Sequence, residues 1–106
     1  LIEEAHQIAQ KVLTASPNSA PLLDTLGWIE HQRGDSRQAL AYMGRAVNQL
    51  NGLPEVHYHL GMVYRDLGNA TWARYHLEQA ASGDADNPDV EKARQALQQQ
   101  SAKAPQ

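Results

Sequence analysis

Five histidines in a chain of 106 residues, His6, His31, His57, His59 and His76, are the side chains best suited to metal binding or proton transfer near neutral pH. A helix brings residues three or four apart onto one face, and no two of these histidines have that spacing. His57 and His59, two residues apart, point in widely different directions on a helix. The stretch "EEAH" contains one Glu-x-x-His, a pattern that di-iron bundles use in pairs, and no second copy follows. The expectation is therefore no metal site and no cofactor. Scattered surface histidines remain, of which His31 adds a mild pH dependence to binding.

Other chemistry is equally sparse. Cysteine is absent, which removes disulfides, thiolate nucleophiles and thiolate metal sites together. No glycine-rich phosphate loop and no Gly-x-Ser-x-Gly elbow occurs, so no acid, base or nucleophile converges and the expectation is a protein that is not an enzyme. A net charge of −3 and a pI near 5.9 give no basic field, which argues against a nucleic-acid partner. No apolar run approaches the ~20 residues that a membrane span needs, so this segment does not insert in a membrane by itself. The charged start "LIEEAHQIAQKV" is unlike a signal peptide, and the expectation is a segment of a longer polypeptide. Asn69-Ala70-Thr71 has the spacing of a glycosylation acceptor, but Asn69 is sufficiently explained as a helix cap.

The elements that position these side chains follow from an internal repeat. "TLGWIEHQRGDSRQALAYMGRA" aligns without a gap on "HLGMVYRDLGNATWARYHLEQA", and one constant offset relates every pair of positions. Leu26 falls on Leu60, Gly27 on Gly61, Ala39 on Ala73 and Ala46 on Ala80; Pro54 and Pro88 keep the same spacing. Abundant alanine and the absence of phenylalanine suit helices that approach closely. The class is all-α, with about six helices near 1–15, 20–33, 36–50, 54–67, 70–82 and 88–100. Gly34-Asp35, Asn51-Gly52 and Gly68-Asn69 mark turns, and Asp35, Asn69 and Asn87 are the natural N-caps. Ala5, Ile8, Ala9, Val12 and Leu13 form the packing face of the first helix. Gly27 and Gly61 sit where the paired helix crosses, with Ala39 and Ala73 as small partners, so leucine at either glycine overpacks the crossing.

This pattern resembles the tetratricopeptide repeat, W-x2-L-G-x2-Y, A-x3-F, P, whose period of roughly 34 residues equals the offset here. "HYHLGMVY" carries Leu60, Gly61 and Tyr64 in register, and Leu77 stands for the phenylalanine. The first unit has Glu30 in place of the tyrosine, and Leu23 and His57 replace the leading tryptophan. The signature positions are Leu26, Gly27, Ala39, Ala46, Leu60, Gly61, Tyr64, Ala73 and Ala80. The resemblance implies a right-handed α-solenoid of antiparallel helix pairs and a single domain over residues 1–100. Within it, 1–19 is the second helix of a truncated repeat, 20–53 and 54–87 are repeats, 88–100 is a polar capping helix, and 101–106 is a disordered tail.

Solenoids of this kind bind through a concave wall lined by the first helix of each pair. By the same resemblance, Asp24, Trp28, His31 and Gln32 of the first repeat face the groove, as do Glu55, Tyr58, Met62 and Arg65 of the second. Trp28, Tyr58 and Met62 are apolar anchors for a protein or peptide partner, with polar neighbours setting register. The lysine and asparagine clamp of cochaperone repeats is missing, since Asp24, Trp28, Tyr58, His59 and Met62 stand in the comparable places, with only Lys92 as a cation. The expected function is a non-enzymatic scaffold that binds a peptide or partner helix. The alternative is an architectural spacer or self-association module with no groove client. Self-association is expected through the first helix, where Ile2, Ile8 and their neighbours lack part of their cover.

"LLDTLGWIEHQRGDSRQAL" followed by "PEVHYHLGMVYRDLGN" is similar to the C-terminal repeats of bacterial tetratricopeptide lipoproteins linked to exosortase (PEP-CTERM) and exopolysaccharide systems. The likeness implies a lipoprotein of the bacterial cell envelope, periplasmic or anchored to the outer membrane, that assists export of polysaccharide or protein. Composition leaves the cytoplasm equally open.

Overall fold

The computed structural model describes the backbone of residues 1–103 and the side chains of residues 1–100. Every regular element among them is an α-helix: α1 (Ile2–Ala15), α2 (Ala20–Gln32), α3 (Ser36–Leu50), α4 (Pro54–Asp66), α5 (Ala70–Ala81) and α6 (Pro88–Lys103). No helix among the described residues is long and apolar enough to cross a membrane. Helix α6 runs to Lys103, into the segment expected to be a tail; residues 104–106 lie outside the described residues. The chain divides into two compact units, Leu1–Asn51 with α1 to α3, and a second that begins at Gly52 with α4 to α6.

The sequence offset is visible in the backbone, because the shift that carries Leu26 onto Leu60 also carries both ends of α2 onto those of α4. Their ends share one motif. Gly34 and Gly68 adopt φ of +92° and +80°, the left-handed region. Gly34 N–H donates to the His31 carbonyl and Asp35 N–H to the Glu30 carbonyl; Gly68 and Asn69 repeat this on Arg65 and Tyr64. This is a Schellman ending, which satisfies the last carbonyls of the helix and needs a residue without Cβ strain. Asp35 then accepts from the Gln38 N–H and Asn69 from the Trp72 N–H, each at 3.1 Å, so the residue after the stop starts the next helix. Alanine at Gly34 or Gly68 is expected to lower stability by about 1–2 kcal/mol, read as a shift in the urea midpoint. Neither site has a neighbour that a methyl group would strike, so the loss measures backbone strain alone.

In the first unit α2 and α3 pack antiparallel. Ala20 and Leu23 meet Ala46, and a Cβ on Gly27 would stand 2.6 Å from Met43 Cγ and 3.1 Å from the Ala39 carbonyl. The second unit repeats the crossing, with a Gly61 Cβ 2.6 Å from Leu77 Cγ and 3.3 Å from the Ala73 carbonyl. The side chains opposite the glycines are thus Met43 and Leu77, while Ala39 and Ala73 present backbone there. Leu26, Leu60, Ala39, Ala46, Ala73 and Ala80 are all buried, and Tyr64 is half-buried. Helix α1 lies on α2 through Ala9, Leu26 and Ile29. Its expected packing face is divided, since Ala9 is buried while Ile8 and Val12 are 63% and 47% exposed. Helix α6 covers α5 through Ala93 and Ala96 against Leu77 and Ala80.

Candidate functional site

Within the first unit, the residues expected to face a partner divide by depth. Trp28 and His31, three residues apart on α2, are half-buried, and their rings stack with centroids 4.8 Å apart at 29°. Gln32 beside them is exposed. Asp24, assigned to the same open face, is instead 6% exposed. It lies one turn before Trp28, on a helix that also buries Leu23, Leu26 and Gly27.

In the second unit, Glu55 is exposed at the start of α4, and Arg65 is half-buried. Tyr58 and Met62 pack against the cluster of Leu77, Ala80, Ala93 and Ala96, so α6 and α5 take part of the surface assigned to a partner. Burial pushes the Tyr58 phenol up, with the Arg65 guanidinium opposing and the Asp89 carboxylate adding to it. On α6, Asp89 and Lys92 face each other at 4.0 Å, and Ala96 is buried.

Two polar clusters lie where sequence spacing did not point. Glu30, in the place of a motif tyrosine, is buried and bridges two helices. His6 Nε2 lies 2.9 Å from its Oε2, and Arg33 donates from Nη1 to its Oε1 at 2.6 Å. Arg33 also reaches Glu3 Oε1 at 3.0 Å, which holds the Glu3 carboxyl below its usual range. The four side chains join α1 to α2 and satisfy a carboxylate that burial would otherwise penalise.

The second cluster joins α4 to α5. His57 and His76, 5% and 8% exposed, place their Nδ1 atoms 3.0 Å apart with rings 25° from parallel. One Nδ1–H donates and the other Nδ1 accepts, so the two rings hold complementary tautomers. Tyr64 lies flat on His76, 3° from parallel with centroids at 5.6 Å, while Trp72 and Tyr75 flank it with half-exposed rings. Burial, and secondarily the His57 charge, lower His76 to a pKa of about 4. The repeat register contains a signal for this pair: one repeat earlier, buried Leu23 stands at the place of His57 and half-buried Tyr42 at that of His76. Spacing along one helix cannot find it, because the partners lie on two different helices.

Among the described residues no group of three or more histidine, aspartate or glutamate side chains is arranged to hold a metal ion. The histidine pair shares a proton across a helix crossing, and the Trp28–His31 stack offers a partly open aromatic face. Comparison with protein-family models and with curated proteins finds no match for this chain.

Proposed function

We propose that this chain is a non-enzymatic protein-interaction scaffold of the tetratricopeptide type, a right-handed solenoid segment that takes an extended peptide or a partner helix. The observation that carries the reading is the Trp28–His31 stack on the first helix of a repeat, half-buried and beside exposed Gln32. A rigid aromatic ring with a partly open face and a polar rim is the composition of a binding anchor. The repeat register supports it, since the second repeat offers Tyr58 and Met62 at comparable positions. The sequence likeness to exosortase-linked lipoproteins extends the proposal to polysaccharide or protein export at a bacterial envelope.

One observation favours the second reading, a spacer without a client: Tyr58 and Met62 are partly covered by their own unit. A peptide array probed with the wild-type chain and with Trp28→Ala and Tyr58→Ala separates the two. The scaffold reading expects bound peptides that Trp28→Ala releases and Tyr58→Ala weakens, with the thermal melt moved by only a few degrees. A wild-type chain that retains no peptide, or a Trp28→Ala chain that retains them all, supports the spacer.

A further inference from the structure

Asn51 stands directly before Gly52, the order that shields an asparagine side chain least from its own backbone. The amide nitrogen after an asparagine reaches the side-chain carbonyl carbon by closing a five-membered ring, and a Cβ on the following residue crowds that approach. Gly52 has none. The other asparagines lack this opening. Asn48 is inside α3, where helical hydrogen bonding holds the backbone. Asn69 and Asn87 serve as caps: their Oδ1 atoms accept from the Trp72 and Asp89 N–H groups at 3.1 and 2.9 Å. Pro88, after Asn87, has no N–H with which to attack. Asn18 is exposed in a turn, but the Ser19 N–H that would close on it donates to the Ser16 carbonyl at 3.2 Å.

The fold leaves position 51 able to react. Both residues are exposed, and α3 ends at Leu50, so Asn51, with φ −58° and ψ −27°, is where the helix gives way to a turn. No neighbour stands within 4 Å of the place of a Gly52 Cβ. The backbone does not demand glycine there, since Gly52 shares neither the positive φ of Gly34 and Gly68 nor the close contacts of Gly27 and Gly61. One repeat later the residues are Ala85 and Asp86, so the repeat does not call for the pair either. Hydrogen bonds to the carboxamide oxygen or nitrogen leave its carbon open to attack.

We propose that Asn51 is a site of spontaneous deamidation, with water as the co-reactant. The Gly52 nitrogen bonds to Asn51 Cγ, the bond from Cγ to the side-chain nitrogen breaks, and that nitrogen leaves as ammonia with the proton from Gly52. Water then opens the cyclic imide at either carbonyl, giving aspartate or isoaspartate, with nothing oxidised or reduced. Each product adds a negative charge to a chain of net −3. The carboxylate lies at the C-terminal end of α3, where the helix dipole disfavours it and no basic residue in the last turn offsets it. Isoaspartate also lengthens the backbone before Leu53 by a methylene. This inference does not depend on the peptide-binding proposal, because no anchor residue takes part in the reaction.

Incubation of the full chain at mildly alkaline pH, followed by peptide mass mapping and enzymatic methylation of isoaspartate, tests it. The expected result is a mass gain of about 1 Da at residue 51, with isoaspartate formed there. The rate is expected to lie within about tenfold of that of a free peptide of residues 50–55. Gly52→Ala, which adds a methyl group to open space, is expected to slow the reaction at least about tenfold, a barrier raised by about 1.4 kcal/mol. Asn51→Gln, whose ring would be larger by one atom, is expected to abolish the gain. Circular dichroism shows that each variant keeps its helices. A folded chain that reacts more slowly than this, a gain that falls first at another asparagine, or a Gly52→Ala chain as fast as wild type overturns the inference.

Discussion

Gly61→Leu is expected to lower the stability of the second unit by about 3 kcal/mol, with a fall in Tm of roughly 10–20 °C. A Cβ alone at this position stands 2.6 Å from Leu77 Cγ and 2.7 Å from Leu77 Cδ2, so a branched side chain forces α4 and α5 apart. Glycine costs about 1 kcal/mol of helix propensity at the same place, and the close approach of the helices offsets it. The cause is separable by size exchange. Leu77→Ala alone removes buried apolar volume and costs about 2–5 kcal/mol. Combined with Gly61→Leu it makes room for the new side chain, so the double variant loses at least about 1 kcal/mol less than the two single losses together. Additive losses would mean that Leu77 is not the side chain that a residue at position 61 displaces. At the equivalent crossing, Gly27→Leu meets unbranched Met43, which swings aside more readily, and the loss is expected to be smaller.

Acid is expected to weaken the second unit between pH 6.5 and pH 4, before most carboxylates protonate. His76 has a folded pKa of about 4 against an ordinary 6.5, lowered by burial and then by the His57 charge. A group depressed in this way binds its proton more weakly in the folded chain than in the unfolded one. Its contribution to stability is full above pH 6.5 and is lost as the pH falls toward 4. The gap is worth roughly 3 kcal/mol, a large share of the stability of a small unit. Urea midpoints measured across that range test it, with the difference between wild type and a His57→Leu/His76→Tyr variant isolating the pair. Those substitutions copy Leu23 and Tyr42, the residues at the same register positions in the first unit. The variant is expected to be nearly flat over this window apart from its remaining histidines. An equal slope in both chains would mean that the pair protonates without cost.

The acid response and the crossing share a structural origin, since both lie where α5 packs on α4. A single side chain at that contact therefore bears on the whole second unit. The Glu30 cluster holds a comparable place between α1 and α2, with an ion pair at the position where the second unit has Tyr64. The same backbone motif thus accommodates a buried charge or an aromatic ring, provided that a neighbouring helix supplies His6 and the helix end supplies Arg33 to meet the charge.

Helix limits other than the end of α6, the turns at Gly34 and Gly68 and the caps at Asp35 and Asn69 were legible in the residues alone. Each depends on contacts within a few positions of the chain, and the internal repeat wrote them twice. The burial of Leu26, Leu60, Ala39 and Ala73 was legible for the same reason, because periodicity names the inward face of a helix. Periodicity does not name what stands opposite that face. The meeting of His57 with His76 and of Glu30 with His6, the cover that α6 lays on Tyr58 and Met62, and the exposure of Ile8 and Val12 were decided by packing between helices. A side chain's depth and proton affinity depend on the distance to atoms far along the chain, and only the packing of one helix on another sets that distance.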